Sequence, residues 1–237
     1  MLRADGLRHA FGHVIALDDI SFSLAPGRTL VIFGPNGAGK TTLLKVLAGL
    51  IRPQAGRAAV AGGRRAIGWI GHQSHLYAHL TVAENLVFWA ALYDVPAGRR
   101  RARAAEVMRR LAIADQADRR VWALSRGLAQ RAAIARALMH DPQVLLLDEP
   151  FTGLDLAAAA EVRALLTQLR GAGRVVVLAT HNVDEGAELA TDVAFQRRGR
   201  FVHFAPRGAH ESAEIAEAYR RAVGAGAAGG AGGTTGG

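Results

Sequence analysis

Residues 34–42 read Gly-Pro-Asn-Gly-Ala-Gly-Lys-Thr-Thr, after an apolar, β-branched run at 29–33 and before a segment with helical spacing. Strand, glycine-rich loop and helix form the context in which the pattern G-x-x-x-x-G-K-[ST] binds phosphate groups. Glycine allows positive φ angles and a close approach of backbone N–H groups to phosphate oxygens, and the helix N-terminus adds partial positive charge. The stretch therefore predicts a site for a nucleoside triphosphate.

The side chains of this loop suit a nucleotide bound with Mg²⁺. Lys40 supplies a mobile positive charge for the β- and γ-phosphates, Thr41 a hydroxyl ligand for Mg²⁺, and Thr42 a further donor near the phosphates. The alternative is a glycine-rich turn that opens an ordinary helix after a strand. We expect nucleotide contacts from Gly34, Asn36, Gly37, Gly39, Lys40, Thr41 and Thr42.

Length and composition limit the class of protein. The 237 residues suffice for one sizeable domain with a full core, which has room for an inserted subdomain. Half of the residues are hydrophobic, yet no window approaches the roughly 20 apolar residues of a membrane-spanning helix. Residues 1–5 lack the apolar run of a signal peptide, so we expect a cytoplasmic chain. The absence of cysteine excludes disulfides, iron–sulfur ligation and thiol catalysis.

The formal net charge of +9 comes almost entirely from arginine, because Lys40 and Lys45 are the only lysines. Such an excess suits nucleic acid and an anionic membrane surface equally well, and it also follows from a coding bias towards arginine. The predicted helix at 97–113 carries many of these charges, either as a solvated face or as a contact with anionic lipid headgroups. Charge alone therefore selects no partner.

Polar residues follow two further apolar runs, where strands are expected to end. Asp148 and Glu149 follow the run at 144–147, and His181 follows the run at 174–179. Beside a phosphate loop, one carboxylate of such a pair holds Mg²⁺ through water, and the other orients or deprotonates the attacking water. Ligands bind at the carboxyl ends of the strands in open α/β sheets, so we expect His181 to contact the γ-phosphate.

Two more residues are candidates for the same site. Gln73 follows a predicted strand at 66–71, and a polar side chain that leaves a core strand beside a phosphate loop can reach Mg²⁺ or water. Phe11 lies in a region of predicted strands. If its ring is exposed there, it can stack on an adenine; otherwise it belongs to the core.

Capping residues in the sequence indicate where two predicted helices begin. Thr81 and Glu84 form a capping box, and the helix that follows, to about residue 93, is apolar nearly all round. Such a helix lies either deep in a core or against a partner. Ser125 is well placed as the N-cap of a second helix, which runs to about residue 140.

Taken in order, these motifs resemble those of the ATP-binding subunits of ABC transporters, over about residues 1–205. The loop at 34–42 is similar to the Walker A motif of that family, Gln73 to its Q-loop, 124–131 to its signature, 144–149 to its Walker B motif, 153–155 to its D-loop, His181 to its switch histidine and Phe11 to its adenine platform. The order of the motifs makes the resemblance specific.

The resemblance implies an α/β fold, with a RecA-like P-loop NTPase core, an antiparallel β-subdomain and an inserted helical subdomain at about 76–142. We expect a single ATPase domain over residues 1–222. Residues 223–237 are rich in glycine and alanine, which is typical of a flexible tail.

The resemblance also implies ATP and Mg²⁺ as the ligands, and a role for each site residue. In a head-to-tail dimer, Ser125 and Gly127 of one subunit would close over the ATP held by Lys40 of the other. The expected Mg²⁺ ligands are Thr41, Gln73 and Asp148, and the expected catalytic residues are Glu149 as base or water-polariser, His181 and Gln73.

The implied partners are integral membrane permease subunits, contacted through the groove between Gln73 and the helical subdomain. The protein would then lie peripherally on the cytoplasmic face of the inner (plasma) membrane. No nucleic-acid partner is expected, because the chain lacks a clear stripe of interleaved aromatic and basic residues.

The signature departs from the family pattern at two positions. Arg126 stands in place of the usual glycine and Leu128 in place of the usual glutamine, whereas Ser125 and Gly127 are retained. This form of the signature, together with the sequences at 80–93 and 148–155, is similar to that of the ATPase subunits of cytochrome c maturation haem exporters. The similarity implies haem export. The alternatives are a drug or polysaccharide exporter, a soluble ABC-type ATPase in iron–sulfur assembly or nucleic-acid processing, and an inactive ATP-binding regulator.

Overall fold

The computed structural model describes residues 1–71, 73–208 and 212–224. Its strands and α-helices, in chain order, are β1 (Leu2–Phe11), β2 (Val14–Leu24), β3 (Thr29–Phe33), α1 (Lys40–Leu47), β4 (Ala55–Val60), β5 (Ile67–Ile70), α2 (Val82–Leu92), α3 (Arg100–Arg110), α4 (Arg126–Leu138), β6 (Val144–Asp148), α5 (Leu156–Gly171), β7 (Val175–Thr180), α6 (Val183–Gly186), β8 (Asp192–Arg197), β9 (Arg200–Pro206) and α7 (Ser212–Gly224).

Six strands form the main sheet, in the order β5-β6-β7-β3-β8-β9. Neighbours from β5 to β8 run parallel, and β9 runs antiparallel to β8 at the edge. Every residue of β3, β6 and β7 is buried, as their apolar sequences predict for strands of a sheet covered on both faces. Because these three strands are adjacent and parallel, the loops that follow them meet at one edge of the sheet.

A second sheet contains three antiparallel strands in the order β2-β1-β4. Its buried side chains share one hydrophobic core with α1 and one face of the main sheet, and this core includes Leu7, Leu17, Leu30 and Leu43. The sheet therefore covers the helix that follows the phosphate loop. This arrangement agrees with the expected antiparallel β-subdomain on a RecA-like core.

Helices α2, α3 and α4 lie in the chain between β5 and β6, and they share a second core with α5 and the opposite face of the main sheet. One side of α2 is buried in this core through Val82, Leu86 and Ala90, whereas Phe88 and Leu92 are exposed. Of the two positions that the sequence left open, deep in a core or against a partner, the first therefore holds for one side of α2 only. The other side of α2 presents apolar residues at the surface.

Local interactions explain where these helices begin and end. Thr81 Oγ1 accepts a hydrogen bond from Glu84 N at 3.1 Å, and Glu84 Oε2 accepts one from Thr81 N at 2.8 Å, so the predicted capping box is present. The helix predicted at 97–113 is shorter, because a 3-10 turn precedes Arg100 and Ala112 adopts a left-handed conformation with φ 50°. The chain leaves the helical path there.

The last helix, α7, begins at residue 212 rather than at the predicted position of about 209, and residues 209–211 lie outside the described residues. Helix α7 extends to Gly224, two residues into the predicted tail, and the rest of that tail, 225–237, also lies outside the described residues. Within the described ranges, no helix is both long enough and apolar enough to cross a membrane.

Candidate nucleotide-binding site

The glycine-rich loop between β3 and α1 passes very close to two other segments. Gly39 has φ 101°, and a Cβ atom there would lie 2.1 Å from the carbonyl oxygen of Ala16. A Cβ on Gly34 would lie 2.4 Å from the carbonyl oxygen of Gln196. Neither position has room for a side chain, so the sequence needs glycine at both. A glycine-rich loop of this kind at a helix N-terminus can present backbone N–H groups to a phosphate.

Lys40 lies at the start of α1 and is almost fully buried. Its Nζ donates hydrogen bonds to the carbonyl oxygens of Gly34 at 2.7 Å and Pro35 at 3.2 Å, and lies 3.9 Å from Glu149 Oε1. Burial lowers the pKa of this ammonium group, and the negative charges of Glu149 and Asp148 act in the opposite direction. Burial makes an uncompensated positive charge unfavourable, and a phosphate oxygen beside the loop would supply the compensating negative charge.

Thr41 and Asp148 come together from α1 and from the end of β6. Thr41 Oγ1 donates a hydrogen bond to Asp148 Oδ2 at 2.8 Å. A hydroxyl and a carboxylate next to phosphate oxygens form the oxygen-rich ligand set that Mg²⁺ prefers. The residues present therefore fit a Mg²⁺ ion bound with a nucleotide.

Glu149 and His181 follow the ends of β6 and β7. His181 Nδ1 lies 3.0 Å from Glu149 Oε1, and Glu149 N donates to the carbonyl oxygen of Ala179 at 2.9 Å. Glu149 has φ 51°, a left-handed conformation that is rare for a residue with a side chain and is often found at functional sites. The backbone thus directs the carboxylate towards the phosphate loop.

Lys40, Thr41, Asp148 and Glu149 border a cleft of about 470 Å³. Phe11 is 53 % exposed, and its ring lies edge-on against His9 with centroids 4.7 Å apart. The sequence was compatible with Phe11 either in the core or at the surface. The structure places its ring at the surface, beside the phosphate loop. The cleft is lined by Phe11, Val14, Ile15, Ala16, Asn36, Gly37, Ala38, Gly39, Lys40, Thr41, Thr42, Asp148 and Glu149.

The other candidate residues do not line this cleft within the described chain. Ser125 and Gly127 border a separate cavity of about 430 Å³ together with Gly153 and Asp155. Ser125 Oγ accepts a hydrogen bond from Leu128 N at 3.3 Å, so Ser125 is the predicted N-cap of α4. One chain alone therefore does not bring the signature residues to Lys40.

Gln73 is exposed in the loop after β5 and is likewise absent from the lining of the cleft in the described part of the chain. Arg126, the residue that departs from the family signature, lies over the loop at Gly153. A Cβ on Gly153 would come within 2.5 Å of Arg126 Nη1.

Two buried polar residues near these elements were not found from the sequence. Gln196 in β8 is fully buried beneath the phosphate loop, and its side-chain amide has no hydrogen-bond partner among the described residues. Arg136 in α4 is 2 % exposed. The apolar pattern of β8 gives no sequence signal for Gln196. Helical spacing does give one for Arg136, because it places this arginine on the inward side of the alanine-rich helix α4.

A family model described as ABC transporter matches residues 17–152. The cobalt import ATP-binding protein CbiO of Rhodobacter capsulatus is 42 % identical over 215 residues, which cover 84 % of this chain and 76 % of that protein. The linearmycin resistance ATP-binding protein LnrL of Bacillus subtilis is 31 % identical over 211 residues, which cover 85 % and 68 %.

Solved structures show the same fold. The dimeric structure of a post-hydrolysis state of an ATP-binding cassette, bound to ADP and Pi, superposes with a TM-score of 0.77 at 26 % identity and covers 87 % of this chain and 98 % of that one. The expected architecture of a RecA-like core with an antiparallel β-subdomain is thereby confirmed as that of ABC ATPases. The chain belongs to the family of ABC transporter ATP-binding subunits, in which ATP hydrolysis is coupled to transport.

Proposed function

We propose that this chain is the Mg²⁺-dependent, ATP-hydrolysing subunit of an ABC exporter, and that the exporter is the haem export complex of cytochrome c biogenesis. One observation carries the catalytic part of the proposal. The groups that follow three adjacent parallel strands meet at one edge of the sheet: the phosphate loop with Lys40 and Thr41 after β3 and Asp148 with Glu149 after β6 line one cleft, and His181 after β7 contacts Glu149.

Each residue has a task that follows from its place in this cleft. The ring of Phe11 stacks on the adenine, and the loop N–H groups with Lys40 bind the phosphates. Asn36 and Thr42 also line the cleft and complete the phosphate contacts. Thr41 and Asp148 would hold Mg²⁺ in this cleft, with Gln73 as a further ligand from the loop after β5, and the bound ion would neutralise the charge that develops on the phosphate oxygens.

Hydrolysis then needs a water molecule and a base. Glu149 takes a proton from the water as its oxygen bonds to the γ-phosphorus and the bond to the β-phosphate oxygen breaks, which yields ADP and inorganic phosphate. His181 lies against the Glu149 carboxylate and braces the γ-phosphate. The separation of 3.0 Å between the two side chains supports this pairing.

The site is proposed to be complete only in a head-to-tail dimer. Ser125 and Gly127 border a cavity different from the one at Lys40, so they can act on a nucleotide only if it belongs to a second copy of the chain. The N-terminus of α4 at Ser125 offers partial positive charge to the γ-phosphate of that nucleotide. The solved dimer of a structural relative supports such an assembly.

Integral membrane permease subunits are the proposed partners, with this chain peripheral at the cytoplasmic face of the inner membrane. The exposed side of α2 supports this proposal, because Phe88, Leu92 and the neighbouring Tyr77 are large, apolar and accessible, and the rings of Tyr77 and Phe88 are 5.0 Å apart. No nucleic-acid partner is proposed. Residues 1–222 are proposed to form one ATPase domain, with the helical subdomain at 76–142 and a tail at 223–237.

The proposed cargo rests on the sequence of the signature and of two flanking stretches. Ser125-Arg126-Gly127-Leu128, residues 80–93 and residues 148–155 are similar to those of haem exporter ATPases. The relatives named above carry names that point to other cargoes, cobalt for CbiO and linearmycin for LnrL. The resistance protein favours a drug exporter as the second candidate function.

A complementation experiment tests the proposal. The chain is expressed with the permease genes that lie beside its own gene, in a bacterium that lacks the ATPase subunit of its cytochrome c maturation exporter. Covalently bound haem in cytochrome c should return with the parent chain and not with Lys40→Ala. If the purified complex hydrolyses ATP but no holocytochrome forms, the cargo is not haem; if it hydrolyses no ATP, the ATPase proposal is wrong.

A further inference from the structure

Arg136 is a buried cation without a carboxylate partner among the described residues. Its side chain lies in α4, is 2 % exposed, and donates from Nη2 to the carbonyl oxygen of Trp69 at 2.6 Å. The guanidinium carbon lies 4.9 Å from the centroid of the Trp89 ring. Burial lowers the pKa of this guanidinium. A charge taken out of water in this way costs free energy, which the contacts of Arg136 with the Trp69 carbonyl oxygen, the Trp89 ring and the Tyr93 side chain offset.

Arg136 also interacts with the side chain of Tyr93, and its two other partners lead to the two sides of Gln73. Trp69 lies in β5, just before the loop that carries Gln73, and its carbonyl oxygen accepts the hydrogen bond from Arg136. Trp89 donates from Nε1 to the carbonyl oxygen of His75, just after Gln73, at 3.1 Å. The stacked pair of Arg136 and Trp89 therefore fixes the backbone on both sides of Gln73.

A second set of contacts fixes the end of the same loop. Asn85 in α2 is fully buried, accepts a hydrogen bond from Tyr77 N at 2.7 Å, and donates one to the carbonyl oxygen of Tyr77 at 3.0 Å. His75 has φ 54°, so the chain turns sharply at the point that Trp89 holds. Gln73 is exposed between these fixed points, which limit where its side chain can extend.

Arg136 and Trp89 also connect the two surfaces at which partners are proposed to bind. Helix α4 begins at the signature, and Arg136 lies about 15 Å further along its axis at about 1.5 Å per residue. Trp89 lies next to Phe88 on the apolar side of α2, with ring centroids 6.0 Å apart. A movement of either helix must move the Arg136–Trp89 contact, and with it the loop.

We propose that Arg136 is a positioning residue for ATP hydrolysis. By holding Trp69 and Trp89, it fixes the two ends of the loop from which Gln73 is proposed to reach the Mg²⁺ and water of the ATP site, and it couples that loop to α2 and α4. This inference rests on the proposed ATPase function. A purely structural role needs no charge here, because apolar residues of similar volume often stabilise a protein as well as a buried ion does.

Three variants of the full chain test the inference, with ATP turnover measured in the presence and absence of the membrane partners. Arg136→Gln removes the charge, Arg136→Lys keeps the charge without the planar fork, and Trp89→Phe keeps a ring under the guanidinium without the Nε1 donor. We expect kcat to fall about tenfold in Arg136→Gln and Trp89→Phe and less in Arg136→Lys, with KM for ATP within about twofold of the parent value.

The double variant Arg136→Gln/Trp89→Phe should turn over no more slowly than Arg136→Gln alone, because both residues act through one loop. Arg103 offers a matched control. It is a partly buried arginine in α3 that donates to the carbonyl oxygens of Leu138 at 2.9 Å and Met139 at 3.2 Å. Arg103→Gln should lower the melting temperature and leave kcat of the folded protein unchanged.

The results separate a positioning role from a structural one. If Arg136→Gln and Trp89→Phe lose thermal stability but keep kcat, as expected for Arg103→Gln, Arg136 is structural only and the inference is overturned. Gln73→Ala separates this failure from that of the proposed function. If Gln73→Ala keeps kcat, both the proposed role of Gln73 and the inference are wrong; if it lowers kcat while the other variants do not, only the inference is wrong.

Discussion

His181 Nδ1 lies 3.0 Å from Glu149 Oε1, so the side chains that follow two adjacent parallel strands are in direct contact. Lys40 Nζ lies 3.9 Å from the same oxygen atom. The carboxylate is therefore flanked by an imidazole and an ammonium group, both of which are proposed to bind phosphate. This arrangement ties the proposed base to the phosphate loop on one side and to the end of β7 on the other.

Replacing the proposed base should separate ATP binding from hydrolysis. Glu149→Gln keeps the size of the side chain but removes its ability to accept a proton, so turnover should fall at least about a hundredfold. ATP should still bind, because Lys40 and the loop N–H groups are unchanged. With ATP and Mg²⁺ the variant should accumulate as a dimer, measured by light scattering together with phosphate release.

Glu106→Gln is the control for this experiment, because Glu106 is an exposed carboxylate in α3 that pairs with Arg103 at 2.8 Å. It should hydrolyse ATP at the parent rate and should not accumulate as a dimer. Turnover by Glu149→Gln at the parent rate would show that Glu149 is not the base. A chain that binds ATP but never hydrolyses it, even as the parent protein, would instead be an inactive regulator.

The contact between Thr41 and Asp148 predicts a specific dependence on Mg²⁺. Asp148→Asn removes the anionic oxygen at this site, so the free Mg²⁺ concentration for half-maximal turnover should rise about tenfold. Thr41→Ala should have the same effect, whereas Thr41→Ser keeps the hydroxyl and should resemble the parent. Titration of turnover with Mg²⁺ measures this, and equal curves for Thr41→Ala and Thr41→Ser would exclude the hydroxyl as a ligand.

The buried ammonium of Lys40 predicts how ATP affinity changes with pH. Burial lowers the pKa of Lys40 in the free protein from its usual value of 10.5, and a bound triphosphate raises that pKa because it brings negative charge. Between the two pKa values binding takes up a proton, so ATP affinity should fall as the pH rises through this alkaline range. Below the lowered pKa, Lys40 is charged in both states and contributes no pH dependence.

Calorimetry in two buffers with different ionisation enthalpies measures this proton uptake directly. Lys40→Arg is the control, because a guanidinium stays charged throughout the range, although its planar shape suits the loop less well. That variant should bind ATP more weakly but without proton uptake. The same proton uptake in Lys40→Arg and in the parent would assign the titration to another group.

The sequence was sufficient for the phosphate loop, for Asp148 and Glu149, and for His181. In each case the proposed site residues lie at the end of an apolar run, and parallel strands bring their carboxyl ends to one edge of the sheet. The order of residues along the chain therefore suffices to predict where most of these side chains lie. The same reasoning placed the end of α3 too late, because an ordinary alanine, Ala112, takes the left-handed conformation that ends the helical path.

Contacts between distant segments could not be predicted in this way. Arg136 reaches Trp69 across 67 residues, and its pairing with Trp89 depends on how α2, α4 and β5 pack together. Hydrophobic periodicity shows that such a position faces inwards, but it does not show which carbonyl or ring it meets. The separation of Ser125 from the cleft at Lys40 likewise follows from the packing of whole elements.

The exposed ring of Phe11 predicts a contribution to ATP binding that does not depend on the phosphates. Stacking of a base on an aromatic side chain contributes about 1–3 kcal/mol, so Phe11→Ala should weaken ATP binding about ten- to hundredfold. Phe11→Trp keeps an aromatic face and should bind ATP as the parent does. Inorganic tripolyphosphate contacts only the loop, so its affinity should be the same in all three proteins. Calorimetry measures both ligands, and equal weakening of ATP and tripolyphosphate by Phe11→Ala would mean that Phe11 shapes the loop rather than binding adenine.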